Sequence, residues 1–150
     1  MSQRDNGFLG YEVFVAPDGE NAIREVFKET VCRPWGNYEN TYIGPGYRTK
    51  VITVYPGHRL SLQRHRWRDE HWFIVEGVAS CLFQANLDDD ASYYTPDLYA
   101  GQGYNIQKGQ WHRVENKQQT PLVFVEVQTG NCFEEDIERR EDDYGRCNAY

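Results

Sequence analysis

The sequence predicts one all-β domain in which short strands close into a barrel. Aromatic residues make up 15% of the chain, including eleven Tyr and four Trp, and aromatic side chains are enriched in strands. From residue 37 onward, short apolar runs alternate with glycine and proline turns, a pattern typical of sandwiches and barrels. A chain of 150 residues is long enough to bury the core of a single domain.

Seven strands are predicted after residue 37, and turn residues lie between them. The predicted strands cover residues 38–43, 48–55, 71–76, 79–83, 104–106, 113–115 and 122–128. The turns are at Gly44-Pro45-Gly46, Pro56-Gly57, Gly77 and Gly101-Gln102-Gly103. Residues 86–90 are polar and acidic and predict a hairpin loop rather than a calcium site, since they lack the ligand pattern with its terminal Glu.

The first 32 residues differ in character, and we interpret them as an N-terminal arm that precedes a barrel domain at residues 33–150. Residues 10–16 predict a strand in this arm. Ala22, Ile23, Val26 and Phe27 follow at helical spacing and predict a short amphipathic helix over one end of the barrel. At the other end of the chain, the charged residues 134–146 are expected to pack outside as a short helix or turn.

Charge and cysteine content exclude several classes of function. The net charge of −7 argues against nucleic acid or an anionic membrane as the partner of the whole surface, but not against a small anion. No apolar run has the length of a membrane span, and residues 1–6 do not form a signal peptide. The four cysteines form no CxxC pair, and Cys81 lies in an apolar stretch typical of a buried free thiol. We therefore expect a cytoplasmic protein.

Two segments about forty residues apart carry the residues of a possible metal site. The first runs from Gly57 to Gly77 and the second from Gly101 to Asn116. They offer four candidate ligands: Gln63, His65, Glu70 and His112. Gln63 and His65 are two residues apart, so on a strand they face the same way. Two imidazoles with oxygen donors suit one divalent ion, with Zn²⁺ as the first candidate and Mn²⁺, Co²⁺ or Fe²⁺ as alternatives.

The two segments resemble the paired motifs of the cupin superfamily. Gly57, His65, Glu70 and Gly77 match the first motif, and Gly101, Gly109, His112 and Asn116 match the second, with Gln63 in place of the usual first histidine. The run from Leu60 through His65 and Arg68 to Trp72 resembles type II phosphomannose isomerase more specifically. That family's opening and closing motifs resemble Arg33-Pro34-Trp35-Gly36 and the stretches 126–130, 135–137 and 144–146.

This resemblance implies a cupin barrel that interconverts mannose 6-phosphate and fructose 6-phosphate through an enediol. The four candidate ligands would hold the metal, which acts as a Lewis acid. His71 and Lys50 are candidates for the base, although each also fits a structural role. Arg68 would bind phosphate or the enediolate, unless it pairs with Asp69 or an acid of the tail. Arg146 would close the barrel mouth or form an outer salt bridge. GDP-mannose supply is the pathway that the family implies.

Departures from the family pattern keep other functions open. The chain has no room for the guanylyltransferase domain that usually precedes this isomerase domain, so a stand-alone isomerase is expected. Arg66 and Trp67 stand where the family commonly has histidines, Gln107 stands where it has proline, and the loop between Gly77 and Gln107 is longer. The alternatives are a metal cupin acting on another sugar phosphate, an oxygenase, which Gln63 disfavours, and a non-catalytic sugar-binding cupin.

Three further expectations concern residues around the site. Arg64 and Arg66 alternate with His65 along the chain, so they should point away from the metal. Trp35, Trp72 and Trp111 are expected in the core, because tryptophan buries a large apolar area. By analogy with other cupins, we expect a homodimer.

Overall fold

A computed structural model describes residues 6–146 of the chain, and in this part every regular element is a strand. The fourteen strands of the described residues are β1 (Phe8–Val15), β2 (Asn21–Phe27), β3 (Thr30–Arg33), β4 (Gly36–Gly44), β5 (Tyr47–Val54), β6 (Leu62–Arg64), β7 (Arg68–Glu76), β8 (Val78–Asn86), β9 (Asp89–Tyr94), β10 (Asp97–Tyr99), β11 (Gly103–Ile106), β12 (His112–Glu115), β13 (Leu122–Gly130) and β14 (Glu138–Glu141). The predicted all-β class is confirmed. A helix with the length and apolarity of a membrane span does not occur among residues 6–146.

Two six-stranded antiparallel sheets form the body of the protein. One has the order β11-β7-β13-β5-β4-β3, and the other has the order β10-β8-β12-β6-β14, with β9 also paired to β8. The turn from β7 into β8 passes the chain between the sheets at Gly77, whose φ is +84°. A Cβ there would lie 2.7 Å from the carbonyl oxygen of Pro121, so only glycine fits this turn.

The core lies between the two sheets. Trp72 on β7 is at its centre, with ring centroids 5.0 Å from Phe124 on β13 and 5.8 Å from Phe83 on β8. Trp35 and Trp111 are also buried, so the expectation for the three tryptophans is confirmed. Cys81 is a buried free thiol, as predicted.

All seven strands predicted after residue 37 are present, but the predicted arm helix is wrong. Residues 21–27 form β2, which pairs antiparallel with β1 and places Val13 opposite Ile23. The turn at Pro17-Asp18-Gly19 brings the chain back beside β1, so the backbone groups of β2 can form hydrogen bonds with those of β1. Neighbouring apolar residues in this short segment fit a strand as well as a helix, and pairing decides between them.

The charged tail is also different from the prediction. Its residues 138–141 form β14, which pairs with β6 beside the candidate metal ligands. The division into an arm at 1–32 and a domain at 33–150 stays a proposal. Strand β3 spans the proposed boundary between residues 32 and 33, and it pairs with β4 of the barrel.

Candidate functional site

Three of the four candidate metal ligands come together inside the barrel. His65 follows β6, Glu70 lies on β7 in the other sheet, and His112 begins β12. One ligand atom from each lies within 4.8 Å of the other two. The Nε2 atom of His65 is 3.0 Å from Oε1 of Glu70, and the Nε2 atom of His112 is 3.6 Å from Oε2. Ligands about 2.0–2.2 Å from a tetrahedral ion are separated by similar distances.

Backbone carbonyls orient both imidazoles toward this centre. The Nδ1 atom of His65 lies 2.6 Å from the carbonyl oxygen of Asp136, and Nδ1 of His112 lies 2.8 Å from that of Gln110. A carbonyl oxygen accepts only, so we assign the proton to Nδ1 in each ring. The Nε2 lone pairs then point at the centre, the arrangement that metal-binding histidines adopt.

The electrostatics of the cluster also fit a bound cation. Burial lowers the pKa of His112 to about 4, so the ring is neutral near pH 7. Its Nε2 is buried and has no hydrogen-bond partner among the described residues. Burial would raise the pKa of Glu70, but the neighbouring His65 and Arg68 hold it well below its usual range. The cluster therefore offers one carboxylate and two imidazole nitrogens, a set that suits Zn²⁺ and related ions.

Gln63, the fourth candidate ligand, lines the same pocket as His65 and Glu70. Its strand β6 pairs directly with β12, and Gln63 lies opposite His112. His112 is thus on the adjacent strand of the same sheet, whereas Glu70 comes from the other sheet. The Oε1 atom of Gln63 accepts a hydrogen bond of 3.1 Å from the Ser61 hydroxyl. Its role as a ligand stays a prediction.

A pocket of about 100 Å³ opens beside this cluster. Cationic side chains dominate its polar lining. They are Arg33, Lys50, Arg68, Arg139 and Arg146, and the pocket carboxylates are Glu70, Glu126 and Glu134. A cationic pocket beside three potential metal ligands can hold an anionic compound with its oxygens near a metal.

Arg68 is buried next to the candidate ligands. Its Nε donates to Oε1 of Glu70 at 3.2 Å, and Nη1 donates to the carbonyl oxygen of Phe133 at 3.0 Å. Its Nη2 lies 3.4 Å from Nε2 of His65. Among the described residues its salt bridge is with Glu70, and not with Asp69 or an acid of the tail. The guanidinium therefore lies where it can reach oxygens bound near the cluster.

Lys50 and Arg146 also line the pocket. Lys50 is buried on β5, and its Nζ lies 2.5 Å from Oε1 of Glu134 and 4.2 Å from the centroid of Tyr38. Arg146 is partly exposed and pairs with Asp142 at 3.0 Å, so it combines both positions considered for it.

His71 lies outside the pocket. It follows Glu70 on β7, so it points to the opposite, exposed face of the sheet. There its Nδ1 contacts Oδ1 of Asn105 on β11. The hypothesis that His71 is the base does not fit this position, because an outward side chain cannot reach a compound bound beside Glu70.

Residues at the departures from the family pattern are on the surface. Arg66, Trp67 and Gln107 are exposed and do not line the pocket that contains Glu70. Arg64 also points away from the cluster, as expected, and pairs with Glu138 at 2.8 Å. Arg66, Trp67 and Gln107 are therefore not part of the walls of that pocket.

Glu126 is a pocket residue that the sequence reasoning missed. It is buried on β13, and it accepts hydrogen bonds from Trp72 Nε1 at 3.1 Å and Gln128 Nε2 at 2.9 Å. Burial and the neighbouring carboxylate of Glu70 raise its pKa to about 8. The signal was in the sequence: Leu122, Phe124, Glu126 and Gln128 alternate on the inward face of β13, so polar residues continue an apolar row.

Glu134 is the second missed residue, because the tail was expected outside. It reaches the pocket from the segment before β14. Burial would raise its pKa, but Lys50, Arg68 and Arg48 lower it to about 2. Sequence alone carried no signal for this contact, since a charged tail is normally solvated.

Comparison with known proteins agrees with this architecture. A family described as mannose-6-phosphate isomerase C-terminal matches residues 20–143. The alginate biosynthesis protein AlgA of Pseudomonas aeruginosa is 44% identical over 117 residues, which are 77% of this chain and 23% of AlgA. A mannose-1-phosphate guanylyltransferase of Escherichia coli is 38% identical over 136 residues, 88% of this chain and 26% of that protein. The chain thus spans about a quarter of the length of these relatives.

Solved structures share the fold at low sequence identity. The capsular polysaccharide assembling protein CapF of Staphylococcus aureus superposes with a TM-score of 0.68 at 18% identity, over 76% of this chain and 32% of CapF. An oxalate decarboxylase of Bacillus subtilis superposes with a TM-score of 0.65 at 21% identity, over 75% of this chain and 30% of that chain. These neighbours are cupins, so the predicted cupin barrel is confirmed.

Proposed function

Because this chain belongs to the mannose-6-phosphate isomerase C-terminal family, we propose that it is a metal-dependent isomerase that interconverts mannose 6-phosphate and fructose 6-phosphate. The observation that carries the proposal is the joint position of three potential metal ligands and a cationic pocket. His65, Glu70 and His112 lie together, and His65 and Glu70 line the same pocket as Lys50 and Arg68. An aldose–ketose isomerase needs both features, one at the carbonyl and hydroxyl oxygens and one at the phosphate.

In this proposal His65, Glu70 and His112 hold the ion, with Gln63 as a fourth ligand. A divalent metal there would supply Lewis acidity to the oxygens on C1 and C2 of the sugar. The Nε2 atoms of both histidines, which the carbonyl contacts on Nδ1 direct at the centre, support this assignment. The donor set favours Zn²⁺ first, with Mn²⁺, Co²⁺ or Fe²⁺ as alternatives.

The remaining pocket residues divide the work of binding and proton transfer. Arg68 lies against Glu70 and would stabilise negative charge on the sugar oxygens. Lys50 and Arg146 would bind the phosphate from the pocket wall and its mouth. Glu126 is the inward carboxyl that is neither a proposed ligand nor paired with Lys50, and we assign it the proton transfer between C1 and C2. It replaces His71 in that role.

Binding of a sugar phosphate without turnover is a second candidate function, because the pocket cations Lys50 and Arg68 would bind its phosphate whether or not a base acts on the sugar. About 100 Å³ is well below the roughly 300 Å³ at which small-molecule pockets usually begin. For either function, the pocket therefore has to open when a sugar phosphate binds. The homodimer and the cytoplasmic location stay predictions.

A coupled isomerase assay on mannose 6-phosphate separates the two functions. The protein is stripped of metal, reloaded with Zn²⁺, Mn²⁺ or Co²⁺, and compared with His65→Ala and with His58→Ala as a matched control. His58 contacts the carbonyl oxygen of Pro56 and does not line the pocket. Metal-dependent turnover that His65→Ala lacks and His58→Ala retains would support the isomerase. Metal and sugar-phosphate binding without turnover would refute it in favour of the binding function.

A further inference from the structure

The N-terminal hairpin of β1 and β2 buries a single side chain, and that side chain is charged. Glu12 is 5% exposed, whereas every other residue of the two strands is exposed or half-buried. A carboxylate removed from water is costly unless it is paired. The most deeply buried contact of the hairpin with the barrel is therefore made by an acid, with half-buried apolar residues beside it.

Glu12 is paired with a buried arginine of the barrel. Its Oε1 accepts a hydrogen bond of 2.5 Å from Nη2 of Arg48 on β5, and its Oε2 contacts Nε of Arg24 on β2. The Arg48 side chain is 2% exposed, so its charge depends on protein partners. Arg24 continues the network outward through two hydrogen bonds of 2.6 and 2.8 Å to Glu135.

The same arginine reaches the candidate site through Glu134. Nη1 of Arg48 donates to Oε1 of Glu134 at 2.8 Å, and Lys50 Nζ donates to that same oxygen at 2.5 Å. Glu134 therefore holds two cations at once. Its side chain is 37% exposed, against 3% for Glu12 and 2% for Arg48, so of these three residues Glu134 is the one with room to move.

We infer that Glu12 is a positioning residue of the candidate site, which keeps Arg48 neutralised so that Glu134 can leave Lys50 when an anion binds there. With Glu12 present, Arg48 keeps a carboxylate after Glu134 departs. Without Glu12, the departure of Glu134 would leave a buried guanidinium without a charged partner, and a guanidinium does not deprotonate. Glu134 would then stay on Arg48 and Lys50 and compete with the anion.

Two features make this inference specific to this chain. Glu12 precedes residue 20, where the match to the family begins, so the matched region does not contain it. The inference also explains how a pocket of about 100 Å³ can admit a larger compound, because Glu134 lines it and its movement would enlarge it. It rests on the proposed function only in requiring an anionic ligand at Lys50.

Calorimetric titration with inorganic phosphate tests this role without requiring turnover. We expect Glu12→Gln to weaken phosphate binding by about tenfold, because Glu134 then stays on Lys50 and competes with the phosphate. Glu25→Gln is the matched control: it removes the same charge from an exposed position of the same hairpin and should bind as the wild type does. Lys50→Met defines how much of the binding depends on Lys50.

A double-mutant cycle distinguishes positioning from a general loss of structure. In a Glu134→Gln background the competitor is already gone, so adding Glu12→Gln should no longer weaken phosphate binding. If the hairpin only supports the fold, Glu12→Gln would weaken binding equally in both backgrounds. Circular dichroism at the assay temperature checks folding, and Glu12→Asp replaces Glu12→Gln if that variant is unfolded, with weakening expected in the same direction.

Each outcome decides between the inference and its rejection. Weakening by Glu12→Gln that disappears in the Glu134→Gln background supports it. Wild-type affinity in Glu12→Gln, equal weakening in both backgrounds, or wild-type phosphate binding that survives Lys50→Met would overturn it. If the Glu12 effect is present but mannose 6-phosphate is not isomerised, the proposed function fails and the inference stands.

Discussion

The barrel interior has a polar half and an apolar half, and the same three strands build both. Along β5 the inward residues change from Arg48 and Lys50 to Ile52 and Val54. The corresponding series are Arg68, Glu70, Trp72 and Ile74 on β7, and Gln128, Glu126, Phe124 and Leu122 on β13. Register aligns the change across the sheet, since Glu126 lies opposite Lys50 and Phe124 opposite Ile52.

Burial alone does not distinguish the two halves. Glu70 and Trp72 are neighbours on one face of one strand, and they are 3% and 1% exposed although one is charged and the other apolar. The apolar half is stabilised by removing hydrocarbon from water, whereas each charge in the polar half needs a partner to offset its desolvation. Substitutions in the apolar half should therefore mainly lower the free energy of unfolding, whereas those in the polar half should mainly weaken the binding of ligands.

The largest expected effect is in the apolar half. Phe124→Ala should destabilise the protein by about 3–5 kcal/mol, because it leaves a cavity against Trp72 in a close-packed core. Urea unfolding would measure the change. Val125→Ala, on the outer half-buried face of the same strand, should cost about 1 kcal/mol. Similar losses for both variants would contradict the division between core and surface.

A smaller effect, on binding, is expected in the polar half. Glu70→Gln keeps the size of the side chain but removes the one carboxylate of the candidate cluster, so Zn²⁺ affinity should fall by at least about tenfold. Metal titration with a competing chelator would measure it. Glu76→Gln, exposed on the same strand, is the control. Unchanged affinity in Glu70→Gln would mean that the cluster does not bind the metal.

The pH dependence of the free energy of unfolding should distinguish the polar half from the apolar half further. Lys50 and its neighbours lower the pKa of Glu134 from about 4.5 to about 2, so the unfolded chain binds more protons between these values. The stabilisation by Glu134 is fully present above about pH 4.5 and is lost as the pH falls toward 2. Comparing urea unfolding at pH 5 and pH 3, the loss of stability should be smaller in Glu134→Gln than in the wild type. An equal loss would show that Glu134 is not paired.

The smallest expected effect concerns a thiol of the apolar half. Burial raises the pKa of Cys81 to about 12, so the reactive thiolate is scarce at pH 8. In folded protein, a thiol reagent should label the exposed Cys32 quickly and leave Cys81 unlabelled until urea is added. Peptide mapping by mass spectrometry would show this, and rapid native labelling of Cys81 would indicate local opening of β8.

The strands and the residues of the candidate metal cluster were largely predictable, because the signals that indicate them are local in the sequence. Period-two alternation and turn residues depend on near neighbours in the sequence, and so does the spacing of Gln63, His65 and Glu70. His112 was a candidate from its residue type, and pairing of β12 with β6 places it beside Gln63. His71 does not fit the role of the base, and its position beside Glu70 already put it on the opposite face of a strand.

The sequence by itself determined the all-β class, the strand positions after residue 37 and the residues available to bind a metal. These features follow from local periodicity and from residue chemistry. Only the tertiary structure decided that residues 21–27 pair as a strand and that Glu134 and Glu12 connect the tail and the hairpin to Lys50. The first depends on pairing with β1. The second depends on which distant segments lie within hydrogen-bonding distance of Arg48 and Lys50, and that is set by how the chain packs against the barrel.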